Sequence, residues 1–174
     1  MPLTLNKNYF NPIQAEFHVR RLPNVNFDCQ KVVIPGMRTT APLQETPFTA
    51  IKQPGDQLLF DELEVTFKVS EYMENYLEIT DWLTKVGFPE DFGQYRKVQD
   101  PQWVGDEVTS DGSVLFLDSK ARPRLEVQVM DLFPVEVSGV TVDTTADEVQ
   151  YLTATAKFAY TLYKIVRTAT ADTL

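Results

Sequence analysis

The stretch at 63–69, LEVTFKV, alternates apolar and polar residues without a fault. Leu63, Val65, Phe67 and Val69 fall on one face; Glu64, Thr66 and Lys68 fall on the other, and Glu62 extends the polar face upstream. A period of two marks a strand with one buried face, because successive side chains of a strand point to opposite sides. The period recurs at 13–22, where Ile13, Ala15, Phe17 and Val19 oppose Gln14, Glu16, His18 and Arg20. It recurs at 124–129 through Leu125, Val127 and Val129, and along a much longer run at 148–165. In that run Leu152, Ala154, Ala156, Phe158, Tyr160 and Leu162 form one face, and Thr153, Thr155, Lys157 and Thr161 the other. A chain repeating this period must bury the apolar faces of its sheets against one another, as a sandwich or a barrel.

The remaining segments fit around that frame. Val25, Phe27, Cys29 and Val33 predict a second strand over 25–34, and LPNVN at 22–26 reads as the turn of a β-hairpin with the first strand. Leu58 and Phe60 keep the even register while Leu63 onward keep the odd one, which predicts a bulge or sharp bend near Asp61. Residues 114–117, VLFL, read as a short buried strand, and Pro134 and Gly139 interrupt the run at 131–140. One helix is expected over 70–87. Ser70 is its N-cap, Tyr72, Tyr76, Ile79, Leu83 and Val86 recur at helical spacing beside Trp82, and Gly87 and Pro89 stop it.

Between Gly36 and Gly55, Pro42, Pro47 and Pro54 exclude a helix and make a poor central strand, so 36–57 reads as a long proline-rich loop. Its Leu43, Phe48 and Ile51 need a surface to pack on. Residues 88–112 read as a second excursion ending in a turn at Asp111-Gly112. The expected organisation is an arm at 1–12, a single domain at 13–165 and a tail at 166–174. That domain is mainly β: six to seven antiparallel strands with one flanking α-helix.

The chain offers little chemistry. Its only histidine, His18, points outward on a strand, and its only cysteine, Cys29, shares the register of Phe27 and Val33 as a buried thiol. One cysteine permits no intramolecular disulfide, which suits a reducing compartment. There is no HExxH, GxSxG or phosphate-loop pattern. Carboxylates at Asp56, Asp61, Glu62, Glu64, Glu90, Asp91, Asp106 and Glu107 fall on solvated strand faces or in loops. The expectation is no enzyme, no catalytic residue, no metal and no cofactor. A net charge of −9 argues against a protein that grips nucleic acid. No basic-then-apolar leader opens the chain, and no run is long enough to span a bilayer, so no membrane partner is expected. Long strands with threonine-rich faces and few edge lysines favour a subunit that pairs with copies of itself.

Three passages carry a resemblance to a known family. They are FDCQKVVIPGM at 27–37, PGDQLLFDELEVTFKVSEYMENYLEITDWLTKVG at 54–87, and LEVQVMDLFPVEVSGVTVD with EVQYLTATAKFAYTLYKI at 125–165. Their order and spacing resemble the phage tail-tube family, which shares its fold with the type VI secretion tube protein. The 88–112 excursion looks longer than a minimal tube subunit needs.

The resemblance implies a β-barrel-like subunit forming stacked homo-hexameric rings, assembled in a bacterial host cytoplasm into the virion tail. It implies a surrounding sheath, a baseplate, and a lumen through which DNA and a tape-measure protein pass without specific binding. The 36–57 loop, with Leu43, Phe48, Ile51 and Asp56, would reach a neighbouring ring or subunit. Glu62, Glu64, Lys68, Thr153, Thr155 and Lys157 would face the lumen or a neighbour, giving an acidic wall. A tube-initiator or hub ring near the baseplate, or a terminator ring at the head-proximal end, fits the same fold. From another class, a soluble β-barrel module could bind a ligand with Phe92, Tyr95 and Trp103; a carboxylate-based hydrolase is the remaining alternative.

Overall fold

The computed structural model describes residues 15–87, 108–118, 121–142 and 151–167. The arm at 1–12, most of the 88–112 excursion, and with it Phe92, Tyr95 and Trp103, lie outside these residues. In chain order the elements are β1 (Ala15–Val19), α1 (Pro23–Asp28), β2 (Cys29–Val33), β3 (Met37–Thr39), β4 (Leu43–Glu45), β5 (Ala50–Lys52) and β6 (Leu58–Phe60). There follow β7 (Leu63–Lys68), α2 (Glu74–Gly87), β8 (Ser110–Leu117), β9 (Pro123–Val137), β10 (Thr153–Ala159) and β11 (Leu162–Arg167). The expected mainly-β antiparallel fold is present. Among the described residues it carries two helices, where the periodicity gave one.

A seven-stranded sheet runs β1-β8-β9-β10-β7-β2, with β11 also on β9. The shared strand, β9, organises it. Its first half pairs with β8 on one side and β11 on the other; its second half, from Phe133 to Val137, pairs with β10. Between the halves Asp131 takes a φ of 55°, a left-handed value that non-glycine residues seldom adopt. Its N–H donates to Asp111 Oδ1 at 3.2 Å. Pro134, which has no N–H for the ladder, lies opposite Phe158 at a register shift. The expected interruption at 131–140 is thus a bend inside one continuous strand, and the expected turn at Asp111-Gly112 lies within β8.

The bend folds two half-sheets face to face. Phe17, Val19, Val114, Phe116, Val127 and Val129 come from one, and Leu63, Val65, Phe67, Ala154, Ala156 and Phe158 from the other, all buried. Trp82 and Ile79 of α2 complete the core, with Trp82 and Phe17 each against Phe158 at ring-centroid distances of 6.4 and 6.2 Å. The indole N–H of Trp82 donates to Val108 O at 3.0 Å. Burying a side chain of this size contributes about 1.5–3 kcal/mol.

Several expectations are corrected. The first two strands form no hairpin, for β1 pairs with β8 and β2 with β7. Pro23 opens a short helix instead, Val25 is fully buried on it, and the Asn26 side chain closes β1 by bonding both the N–H and C=O of Val19. The long run at 148–165 breaks after Ala159, so that β10 and β11 are separate strands, and Tyr163 rather than Leu162 turns inward. Val166 and Arg167, expected in the tail, pair with Glu126 and Leu125. The main helix starts at Glu74, not near Ser70. Ser70 to Met73 form a turn first, and Ser70 Oγ accepts from Glu74 N at 3.1 Å. Tyr72, expected on the buried face, is 79% exposed.

The proline-rich segment is not a loop but a long two-stranded finger. β3 pairs with β6 and β4 with β5, both antiparallel. Between the two ladders Gln53 N donates to Pro42 O and Gly55 N to Thr40 O, each at 2.9 Å. The prolines escape the usual penalty because Pro42 uses only its carbonyl and Pro47 sits in the tip between Thr46 and Thr49. Glycine is required at 55, where a Cβ would strike the backbone and hydroxyl of Thr40. The phase change read at Asp61 is the place where the finger's returning strand enters the body as β7.

Candidate assembly surfaces

The finger gathers apolar side chains that stand exposed among the described residues. Met37, Leu43, Phe48, Ile51, Leu58 and Leu59 are all exposed, Phe48 at the tip to 98%. Leu43, Phe48 and Ile51 are expected to pack on something; among the described residues all three stand exposed. Asp56 is also exposed, on the returning side of the finger. An exposed apolar patch of this kind is a candidate interaction surface.

The second surface is the polar face of β2, β7 and β10 with the end of β9. Register places Lys68 opposite Thr153, Thr66 opposite Thr155 and Glu64 opposite Lys157. The expected residues Glu64, Lys68, Thr153, Thr155 and Lys157 therefore share one face, and Glu62 adjoins it at the start of β7. Thr66 and Thr155 hydroxyls meet at 3.2 Å. Lys157 Nζ donates to Glu136 Oε2 at 2.6 Å, and that bond, with the Glu136 charge, raises the Lys157 pKa. Lys68 stands over the Tyr151 ring, 4.8 Å from its centroid.

Periodicity could not supply Glu136 or Lys31. Glu136 lies beyond the bend of β9, and Lys31 joins the face only through its pairing with Thr66. Their inclusion changes the electrostatics. Lys31, Lys68 and Lys157 stand against Glu62, Glu64 and Glu136, so this face is balanced rather than acidic. Acidic residues instead gather at α2 and the turn before it, in Glu71, Glu74, Glu78 and Asp81, with Lys85 bonded to Asp81 at 2.6 Å. Burial pushes the Glu78 carboxyl up, although the Asn24 amide donates to it at 2.6 Å.

The third surface is the set of open edges. Among the described residues β1 pairs only with β8, β2 only with β7 and β11 only with β9, leaving backbone groups along the other side of each strand. Ile165 and Val166 of β11 are exposed beside such an edge.

Among the described residues no three His, Cys, Asp or Glu side chains gather at metal-binding spacing, and no helix is long and apolar enough to cross a membrane. His18 lies on the surface 3.3 Å from Glu16. Cys29 is partly buried, and desolvation pushes its thiol up to about 11.

A bent antiparallel sheet with one large covering helix, open edges and a bare apolar finger has the form of a structural subunit. The chain belongs to the phage tail tube family: the family described as "Phage tail tube protein" matches residues 2–166. It is a tail tube-type structural protein. Among solved structures its fold is similar to a chain of the anti-feeding prophage tube-terminating cap, with a TM-score of 0.61 at 11% identity over 97% of this chain and 100% of that one. A chain of the PVC sheath/tube terminator, from an extracellular contractile injection system, gives 0.59 at 11% identity over 92% and 99%. A chain of the anti-feeding prophage baseplate gives 0.59 at 13% over 87% and 90%. Comparison with curated proteins finds no match.

Proposed function

We propose that this chain closes into homo-hexameric rings that form part of a tail tube, with a central channel for DNA and a tape-measure protein. The observation that carries the reading is the finger: six apolar side chains exposed on a hairpin whose ladders are separate from the main sheet, among the described residues. A second copy supplies the missing cover, and the open edges of β1, β2 and β11 supply strand-pairing positions. A repeated head-to-tail contact that closes by rotation makes a ring. Contacts this durable bury upward of ~2,000 Å² each. The balanced face of β7 and β10 is the candidate channel wall, since it offers a passing polyanion no net attraction. A sheath and a baseplate are the outer and terminal partners. The subunit performs no catalysis and carries no cofactor.

Electron microscopy of the purified chain tests this reading. Rings or tubes with six-fold symmetry are expected. A stable monomer at high concentration overturns it. A second reading, a terminal ring of the tube, is favoured by the full-length fold similarity to the cap and terminator chains. It is separated by the product formed, since a terminator stops at single rings and a repeating tube subunit stacks without limit.

A further inference from the structure

The finger leaves the body through two legs, Pro35-Gly36 going out and Asp61-Glu62 coming back. Both legs are held from the β10–β11 connection and the start of β11. Tyr160 donates its hydroxyl to Asp61 O at 2.8 Å, on the returning leg. Tyr163, 7% exposed, donates to Pro35 O at 3.1 Å, on the outgoing leg. Phe60, the last residue of the finger, packs against both rings in a triangle, 6.0 Å from Tyr160 and 5.4 Å from Tyr163, and the two tyrosines are 6.0 Å apart. The legs are tied to each other by Asp61 N donating to Gly36 O at 3.1 Å. The next residue of the connection, Thr161, donates its N–H to Met130 O beside the left-handed Asp131.

We infer that Tyr160 and Tyr163 are positioning residues that fix the direction of the finger relative to the corner where the two half-sheets meet. A two-stranded ribbon by itself is marginally stable and swings freely about its root. One hydroxyl on each leg, with the Phe60 ring packed against both tyrosines, removes the swing. An arm fixed in its binding direction loses less freedom when it docks, which is the general gain of preorganisation. This inference rests on the finger docking on a second copy, as proposed above.

The test uses the full chain with Tyr160→Phe and Tyr163→Phe, singly and together, since phenylalanine keeps the rings and removes only the hydroxyls. Hydrogen–deuterium exchange is read on the diluted, unassembled chain, and assembly is read separately by light scattering. In the double variant the amides of 37–60 should exchange about tenfold faster while those of β7 and β10 keep the wild-type rate. The concentration needed for assembly should rise about tenfold or more. Should the double variant not fold, Tyr160→Phe alone decides, because its hydroxyl lies at the exposed edge. Unchanged finger exchange overturns the inference, as does faster exchange with an unchanged assembly threshold. If the wild-type chain never assembles but the finger still loosens in the variants, the ring reading fails and the positioning role stands.

Discussion

Asn75 shows how much one residue holds. It is fully buried, its amide donates to Lys68 O at 2.6 Å and to Asp28 Oδ2 at 3.0 Å, and its carbonyl oxygen accepts from Ser70 N at 3.2 Å. It therefore joins α1, the end of β7 and the start of α2. Asn75→Ala strands these groups without water, and we expect a loss of about 1–3 kcal/mol in urea denaturation. Cys29 and Tyr160 give a pH dependence. Burial lifts the Cys29 thiol from 9.0 to about 11 and the Tyr160 phenol from 10.0 to about 12. Each keeps its proton in the folded chain at a pH where the unfolded chain has lost it, so the unfolded state binds fewer protons there. Their contribution is complete below pH 9 and drains away as pH rises through 9 to 12. Urea midpoints should fall across that window, and Cys29→Ala should flatten its lower part. Neither effect was readable from spacing. The outward register of His18 and the inward register of Phe67 were, because a period of two fixes the face of a residue before its partners are known.

At the scale of elements, legibility followed burial on one face. β7 was read to within a residue because its neighbours on both sides leave one face in the core. The hairpin expected from 13–34 failed because Val25 satisfies a strand period and a one-turn helix equally well, and only Asn26 reaching back to Val19 decides between them. The proline rule misread the finger for a similar reason. It counts lost donors, but an isolated ribbon leaves many donors facing water in any case. The finger is separable in consequence. Gly55→Val should break the ladder at Thr40 and abolish assembly in electron microscopy, while the body keeps its melting temperature within about 2 °C. Replacing 41–53 by a short turn should give the same result, a soluble body that no longer associates. A concurrent loss of the body's cooperative unfolding would show instead that finger and core fold as one unit.

For the molecule as a whole, composition gave the sum of the charge but not its location. The acidic excess is expected on the polar face of β7 and β10; there lysines and glutamates match in number, and acidic residues gather on α2 instead. Contacts made through α2 should therefore weaken with salt far more than those made through the finger, whose side chains are apolar. Assembly followed by light scattering should persist from low salt to about 0.5 M, where the screening length is a few ångströms. An assembly that dissolves over that range would place its main contacts on charged surfaces.

One strand, β9, belongs to both halves of the sheet and turns the corner between them at Asp131. A tensile load entering one half therefore passes to the other along covalent backbone, without having to cross a ladder of hydrogen bonds. A stack of such units under axial stress would yield at the seams between copies before any single copy was pulled open.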